Sequence, residues 1–201
     1  MNVASIHQSV LATFALALSC SVVGGTVDVS VATLGQSITE FDGKDGLKWK
    51  VVNDGVMGGL SEGKLTPDGG GTMRFSGVLS LENNGGFSSF RSGDIKLDLS
   101  GAAGLLLRVR GDGRTYQARL ATDARFRGME VSFSAEVGTR KGEWIDVKVP
   151  FADFKGSFRG LALPDERLDP SKVRRVSIML GDKKQGPFEV EIDYIRTNPK
   201  S

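Results

Sequence analysis

Along most of the chain, short segments in which apolar and polar residues alternate are separated by turns rich in Gly, Asn and Asp. Alternation with a period of two is typical of β-strands that bury one face. Strands are therefore predicted at residues 47–52, 72–76, 78–81, 87–91, 95–99, 105–110, 115–121, 129–135, 144–149, 173–180 and 188–195. Short helical turns are expected only at 153–158 and 169–172. The pattern predicts an all-β protein, an antiparallel β-sandwich or jelly roll.

The strands at 105–110 and 115–120 are predicted to form a hairpin around a loop at 111–114. In that register one side is apolar, and Arg108, Arg110 and Arg119 lie together on the other. Three arginines on one sheet face repel one another unless acidic groups cover them. The face is therefore either a solvated outer surface bridged by neighbouring carboxylates, or a site for an acidic or hydroxyl-rich partner, because Arg presents planar, forked donors.

The last strand alternates cleanly and carries an acidic side. Its inward side is predicted to consist of Phe188, Val190, Ile192 and Tyr194, and its outward side of Glu189, Glu191 and Asp193. If this strand neighbours the arginine-bearing strand, the acidic side neutralises the arginines. In that case the basic surface is structural.

Trp144 begins the strand at 144–149, in which Ile145, Val147 and Val149 form the apolar side. Alternation therefore places Trp144 on the polar side and partly exposed. An aromatic ring on a polar sheet face is suited to contacting a sugar or a protein. It is equally suited to covering the open end of a sandwich.

The strand at 47–52 runs into a loop that contains Asn53, Asp54 and glycines at 55, 58 and 59. Glycine tolerates positive φ, and Asn or Asp side chains bond nearby backbone amides, so a tightly bent connection is predicted. These residue types alone are explained by an ordinary hairpin turn, without any binding function.

The run from Val52 to Ser61 also resembles the signature of the complex I intermediate-associated protein 30 family. Further blocks similar to the family follow in the same order at 81–87 with Arg91, at 107–116, at Trp144 with 150–151, and at 182–188. The resemblance covers about 41–196.

This resemblance implies a galactose-binding-like β-sandwich without established catalytic residues and, in mitochondria, a role as an assembly factor for respiratory complex I. It also favours an ion pair between Asp54 and Arg91, because the family pattern has an acid in the first block and an arginine after the Asn-Gly-Gly turn. The candidate binding residues are Asn53, Asp54, Met57, Ser61, Arg91, Arg108, Arg110, Asp112, Arg119 and Trp144.

Composition excludes several classes of chemistry. The formal net charge is +2 with acids and bases interspersed, which gives no sign of a nucleic-acid-binding field. His7 and Cys20 are the only residues of their types, and both precede the domain, so Ser-His-Asp or Cys-His catalysis, His- or Cys-ligated metals and disulfides are not expected there. Carboxylate catalysis by Asp54, Glu82 or Asp112 is disfavoured because each lies in a turn sequence. No enzyme activity, metal or cofactor is predicted.

The N-terminus is apolar from Val10 to Leu18 and is followed by Ser30-Val31-Ala32, a small-x-small pattern. These features predict a signal peptide at 1–32 and a secreted or periplasmic protein, although no Lys or Arg precedes Lys44. A lipid anchor at Cys20 is less favoured because the lipobox is poor. The run is too short to span a bilayer. The remaining divisions are a linker at 33–40, the domain at 41–197 and a tail at 198–201.

Two functional classes remain open from the sequence. The first, ranked ahead, is a non-catalytic module that binds protein partners as an assembly or chaperone-like factor. The second is a carbohydrate-binding module of an exported protein, which the sandwich class, Trp144 and the arginines favour by fold analogy.

Overall fold

A computed structural model describes residues 35–200, with the side chain of Val56 excepted, and these residues form thirteen strands and four short 3-10 turns. In chain order the strands are β1 (Ser37–Thr39), β2 (Trp49–Asn53), β3 (Glu62–Pro67), β4 (Met73–Leu79), β5 (Ser88–Ser92), β6 (Ala102–Gly111), β7 (Thr115–Phe126), β8 (Met129–Gly138), β9 (Trp144–Pro150), β10 (Lys155–Phe158), β11 (Leu161–Ala162), β12 (Arg175–Leu180) and β13 (Gly186–Pro199). The 3-10 turns are Asp54–Met57, Glu82–Asn84, Phe151–Asp153 and Pro170–Lys172.

The strands form two antiparallel sheets. The first sheet has the order β3-β4-β13-β6-β9, with β1 also paired to β13. The second sheet has the order β11-β10-β8-β7-β12-β5-β2. The predicted all-β, antiparallel sandwich is therefore confirmed.

The core lies between the sheets and is made by the apolar side of each strand. Leu105, Leu107 and Val109 of β6 are buried, as are Tyr116 and its neighbours Ala118 and Leu120 on β7. Burying a large apolar side chain contributes about 1.5 to 3 kcal/mol, so alternation along each strand decides which face turns inward. These inward faces are the ones that the sequence pattern predicts.

The predicted pairing of β6 with β7 is wrong. β6 lies between β13 and β9 in the first sheet, whereas β7 lies between β8 and β12 in the second. The loop at 111–114 crosses from one sheet to the other, so Arg119 does not share a face with Arg108 and Arg110. The turn at 83–86 also crosses between the sheets, from β4 to β5. Alternation fixes the buried side of a strand but not its neighbour.

One inward assignment on β13 is also wrong. The register shifts between Ile192, opposite Val109, and Tyr194, opposite Arg108, so Asp193 is an extra residue in a β-bulge. A bulge reverses the alternation beyond it. Ile195 is consequently buried, and Tyr194 lies on the outer face.

Four further differences concern element bounds. Strand β1 lies within the expected linker and pairs with Arg196 and Ile195 of β13. Residues 95–99 form only an isolated bridge, Leu97 with Val173. Strands β3, β10 and β11 were not predicted, and β10 occupies much of the expected helical turn at 153–158. Residues 72–76 and 78–81 are joined in β4. The predicted leader lies outside the described residues.

Candidate functional site

Asp54 lies at the start of the 3-10 turn that follows β2, and it is fully buried. One carboxylate oxygen, Oδ1, accepts from the backbone N–H of Ser61 at 2.9 Å. The other, Oδ2, accepts from the backbone N–H groups of Gly86 at 2.7 Å and Phe87 at 3.2 Å, and from the Ser61 hydroxyl. The carboxylate therefore joins three segments, the loop after β2, the start of β3 and the crossing before β5.

This set of donors holds Asp54 in its charged form. Burial alone would raise the pKa of the carboxyl group, but the hydrogen bonds from Ser61, Gly86 and Phe87 outweigh it and lower the pKa. A buried carboxylate is tolerated when such bonds satisfy both oxygens. We call the Asp54 carboxylate with Ser61, Gly86 and Phe87 the Asp54 node.

Gly59 and Gly85 have no Cβ where the Asp54 carboxylate lies. A Cβ on Gly59 would lie 2.4 Å from Cγ of Asp54, and one on Gly85 would lie 2.7 Å from Oδ2. No real Cβ approaches so closely, so both positions require glycine. These contacts explain the glycine pattern of the loop better than turn formation alone.

The predicted ion pair between Asp54 and Arg91 is wrong. Arg91 is exposed on β5, where it lies opposite Lys50 on one side and Ser177 on the other. Backbone donors at Gly86 and Phe87, immediately after the Asn-Asn-Gly turn, occupy the place that the arginine was expected to take. Asn53 also serves the fold, since its Oδ1 accepts from the Ser88 hydroxyl at 2.6 Å.

Exposed apolar side chains lie near the Asp54 node along the chain and across the sheet. Six large apolar residues are exposed among the described side chains; Met57, Leu60 and Leu81 lie in the segments that the node joins, and Val78 lies on β4 opposite Glu62, the residue after Ser61. Met57, the most exposed, is 64% accessible. The side-chain amide of Asn83 donates to the carbonyl of Gly58 at 3.2 Å, which further ties the Leu81 segment to the Met57 loop. We call these four residues the apolar patch.

The arginines of β6 meet the acidic side of β13 on the outer face of the first sheet. Glu191 accepts from Arg110 and, at 2.9 Å, from Arg74. The hydrogen bond from Arg110 is the main reason that the pKa of Glu191 is lowered. Arg108 lies 3.4 Å from Asp193 and 3.5 Å from Asp146. These arginines are neutralised within the sheet.

Trp144 lies on the same outer face, opposite Arg110 in the register of β6 and β9. The guanidinium of Arg110 is 4.9 Å from the centre of its ring, and that of Arg108 is 5.8 Å away. Both distances permit cation–π attraction. Trp144 is half-buried, and its ring is engaged by cations of its own sheet.

Asp112 is likewise held by local donors. Its Oδ1 accepts from the backbone N–H of Arg114 at 3.0 Å, and its Oδ2 from that of Glu189 at 2.9 Å and from the Tyr116 hydroxyl at 3.2 Å. Burial is the main reason that the pKa of Tyr116 is raised. These bonds tie the end of β6 to β13.

A buried ion pair that the sequence reasoning missed joins the two crossings at this end of the molecule. Arg114, between β6 and β7, donates to both oxygens of Asp182, between β12 and β13, at 3.0 and 2.6 Å. It also donates to the carbonyls of Pro187, at 3.0 Å, and Lys184. The signal was present in the sequence, because the two residues belong to two of the blocks that resemble the family.

Arg119 lies on the second sheet, apart from the other two arginines of its predicted group. Its Nε donates to the Ser132 hydroxyl at 3.0 Å, and its Nη1 lies 2.7 Å from the sulfur of Met179. Burial lowers the pKa of its guanidinium. The candidate residues therefore fall into separate groups: the Asp54 loop, the outer face of each sheet, and the Asp112 turn.

Two kinds of site can be assessed for residues 35–200. Within this part of the chain no three His, Cys, Asp or Glu side chains converge as metal ligands. No helix there is long and apolar enough to cross a membrane. A cleft of about 580 Å³ is lined by Phe41, Trp49, Pro67 and Met73, at the opposite end of β2, β3 and β4 from the Asp54 node.

Two facing antiparallel sheets, with polar groups that join the crossings between them, define a β-sandwich domain. A sequence profile described as complex I intermediate-associated protein 30 matches residues 39–192. The chain belongs to this family.

The similar curated proteins carry the same name. The chain is 31% identical over 182 residues to "Complex I intermediate-associated protein 30, mitochondrial" of Mus musculus, covering 79% of this chain and 54% of that protein. The Drosophila melanogaster protein is 28% identical, with 79% and 61% covered, and the probable Caenorhabditis elegans protein is 30% identical, with 77% and 52% covered. The chain thus spans little more than half the length of these relatives.

Solved structures with the same fold are carbohydrate-binding modules. The family 11 module of the cellulase Lic26A-Cel5E of Clostridium thermocellum superposes with a TM-score of 0.63 at 16% identity, covering 83% of this chain and 95% of that one. The family 11 module in complex with a β-1,3-1,4-mixed-linked tetrasaccharide gives 0.61 at 15% identity, with 84% and 98% covered. At this level of identity the likeness shows the fold alone.

The relatives' names overturn one prediction from the sequence. The mouse, fly and nematode proteins are all named mitochondrial, which conflicts with a secreted or periplasmic location. That location was inferred from the apolar N-terminal run. Apolar character alone does not identify the targeting pathway that recognises an N-terminal segment. The prediction is wrong.

Proposed function

We propose that this domain is a non-catalytic assembly factor that binds a protein partner, a subunit surface of a complex I assembly intermediate, through the apolar patch. The observation that carries the proposal is the concentration of exposed apolar side chains near the Asp54 node. The partner is taken from the relatives' printed name, which associates them with an intermediate of complex I.

The apolar patch has two properties that favour protein binding. Met57, Leu60 and Val78 are each more than half exposed, and clustered exposed apolar residues mark interaction surfaces more often than chance exposure does. The Asp54 node fixes the loop that bears Met57 and Leu60 before any partner arrives. A pre-ordered loop loses less conformational entropy on binding, which increases affinity.

The absence of catalysis is supported by how the best acidic candidates are used. Asp54 and Asp112 accept hydrogen bonds from backbone N–H groups on both oxygens, and Glu191 is held by two arginines. A carboxylate engaged in this way is a poor general base, since its pKa is held low or its lone pairs are occupied.

Carbohydrate binding receives less support. The likeness to carbohydrate-binding modules concerns the fold, which hosts unrelated functions. Trp144, the aromatic residue that suggested sugar stacking, already has two guanidinium groups near its ring. We therefore rank protein binding first.

The test compares two double variants in cells that lack their own family member. Met57→Ser/Leu60→Ser removes two side chains of the apolar patch, and Met129→Ser/Leu161→Ser removes two similarly exposed side chains elsewhere on the domain. Native electrophoresis and immunoblotting measure how much tagged protein migrates with named complex I subunits. We expect the first variant to lose at least about tenfold of this association, since a central apolar contact is worth about 2 kcal/mol, and the second to retain it.

Equal retention by both variants, with both proteins folded, would refute the role of the apolar patch. Association with no complex I subunit, together with saturable binding to a glycan array, would refute the proposed class of partner.

A further inference from the structure

The two sheets differ in whether their outward arginines have acidic partners. On the first sheet, each outward arginine has a carboxylate within 4 Å: Arg74 and Arg110 contact Glu191, Arg108 contacts Asp193, and Arg196 contacts Glu40. On the second sheet, five strand cations form no ion pair with any residue of the described chain: Arg125, near the end of β7, and a group of four, Lys50, Arg91, Arg119 and Lys155.

The register places these four cations in one line across the second sheet. Lys50 is opposite Arg91, and Arg91 is opposite Ser177. Ser177 is opposite Arg119, which is opposite Ser134, and Ser134 is opposite Lys155. Residues directly opposite on adjacent strands point to the same side, so the line runs over six strands on one face. We call Lys50, Arg91, Arg119 and Lys155 the basic row.

Acidic residues near the basic row do not cancel it. Glu130 on the same sheet is committed to Arg175, at 2.6 Å. Glu136 lies in the next line of residues, opposite Gln117 and diagonal to Arg119, and it forms no ion pair within residues 35–200. The cations therefore exceed the acids on this face.

Arg119 is the most buried member of the row. It is half-buried, and its two contacts, the Ser132 hydroxyl and the Met179 sulfur, are both uncharged. A guanidinium has five donors and keeps its charge in proteins, so donors remain for an incoming carboxylate. Removal of water around it strengthens any such contact.

Strand geometry sets the spacing of the row. Neighbouring strands are about 4.8 Å apart, so Arg91 and Arg119, separated by β12, are about 10 Å apart. Arg119 and Lys155, separated by β8, are also about 10 Å apart. An extended polyproline II segment rises about 3.1 Å per residue with three residues per turn, so every third side chain points the same way at intervals of about 9 Å.

We infer that the basic row is a second binding surface, which takes an extended acidic protein segment with a carboxylate at every third position. The segment crosses the strands, its carboxylates reach Arg91, Arg119 and Lys155, and the hydroxyls of Ser177 and Ser134 lie between them for its backbone groups. The inference depends on the proposed function only for the premise that the partner is a protein.

The test uses synthetic peptides and the purified protein. The first peptide has glutamate at every third position among serine and proline, and the second has the same composition with its glutamates contiguous. Fluorescence anisotropy at low and physiological salt measures both affinities, and a single-stranded oligonucleotide is measured alongside. We expect the regularly spaced peptide to bind more tightly than the contiguous one and than the oligonucleotide, with an affinity that falls as salt rises.

The variants change two exposed members of the row on either side of Arg119. Arg91→Gln/Lys155→Gln changes two exposed side chains and should weaken binding of the regularly spaced peptide by about tenfold. Arg108→Gln is the matched control on the first sheet, where the arginine is already paired, and it should change the affinity by less than about twofold.

Four results would overturn the inference: no measurable peptide binding, equal affinity for the two peptides, tighter binding of the oligonucleotide, or equal losses from the two sets of variants. The Met57→Ser/Leu60→Ser variant should bind the peptide normally. A variant that loses complex I association but still binds the peptide identifies a role of the apolar patch. A variant that loses peptide binding but keeps complex I association identifies a role of the basic row. The two proposals can therefore be refuted independently.

Discussion

Asp54 shows how a side chain in a glycine-rich loop can join separate segments of a fold through backbone hydrogen bonds. Backbone N–H groups converge on both of its oxygens, from Ser61 on one and from Gly86 and Phe87 on the other. An asparagine presents one acceptor oxygen and one NH₂ group. In either orientation of the amide, its NH₂ group faces a backbone N–H group that donated to the carboxylate. Replacing Asp54 with asparagine should therefore cost more stability than the same change at a helix or turn cap with a single donor.

We therefore predict that Asp54→Asn lowers the free energy of unfolding by about 3 kcal/mol, because buried donors lose a charged acceptor. Chemical denaturation measures the change. Ser61→Ala should be non-additive with it, since Ser61 donates twice to the same carboxylate, whereas Arg91→Gln should be additive. A change below about 1 kcal/mol, or coupling with Arg91, would contradict this assignment.

The pH dependence provides a second readout of the same prediction. The pKa of Asp54 is lower in the folded state than its unfolded value of about 3.9, so its stabilisation is present above that value and is lost as the pH falls below it. The difference in stability between wild type and Asp54→Asn should therefore be constant near neutral pH and shrink below about pH 4. A difference that persists unchanged into acid would argue against the ionised node.

The sequence indicated the importance of Asp54 but not its partners. The family pattern has an acid in its first block, matched by Asp54, and an arginine after the Asn-Gly-Gly turn, matched by Arg91. An ion pair between the two was the simplest interpretation. The actual partners are mostly backbone N–H groups, which every residue but proline carries. The amino-acid sequence specifies side chains and does not show which backbone N–H groups will donate. The nearby glycines, which leave room for the Asp54 carboxylate, are therefore the sequence feature that indicates this node.

At the scale of strands, alternation predicted the buried faces well and the neighbours poorly. Leu105, Leu107 and Val109 face the core as expected, yet β6 and β7 belong to different sheets. Both strands bury one face in either arrangement, so hydrophobic pattern cannot distinguish a hairpin from a crossing. The short loop at 111–114 favoured the hairpin, whereas in the structure Arg114 of that loop is bonded to Asp182, in the connection between β12 and β13.

The bulge at Asp193 leads to a prediction at the same scale. Because Asp193 is the extra residue, deleting it should remove the bulge and leave Tyr194, Ile195 and Thr197 opposite their present partners on β6, with Ile195 and Thr197 still buried. No buried side chain is displaced, so we expect the deletion to lower the free energy of unfolding by at most about 1 kcal/mol.

Asp193→Ala is the control, because it keeps the chain length and removes only a half-exposed contact with Arg108. It should cost at most about 1 kcal/mol. Thermal and denaturant unfolding of both variants measure the two changes. A loss of more than about 3 kcal/mol from the deletion, with the substitution mild, would show that the extra residue is needed to keep Ile195 buried.

At the scale of the whole molecule, four of the five blocks that resemble the family meet in pairs. Blocks 52–61 and 81–87 meet at the Asp54 node, and blocks 107–116 and 182–188 meet at the clasp between Arg114 and Asp182. Each pair fastens a connection that crosses between the sheets. These blocks are distant along the chain, which is why the sequence showed their order but not their contacts.

The clasp carries the last prediction. Arg114 and Asp182 are only 12% and 11% exposed, and Arg114 also serves backbone carbonyls, so removing it leaves a buried carboxylate without its partner. Arg114→Ala should lower the free energy of unfolding by about 3 to 5 kcal/mol. Arg114→Lys should recover part of this, because lysine keeps the charge but lacks the fork that contacts both carboxylate oxygens.

Arg140→Ala is the matched control, since its pair with Glu143 is more than half exposed, and it should cost at most about 1 kcal/mol. Denaturant unfolding of the three variants measures these differences, and an Arg114→Ala loss no larger than that of Arg140→Ala would show that the two crossings are held by the core alone.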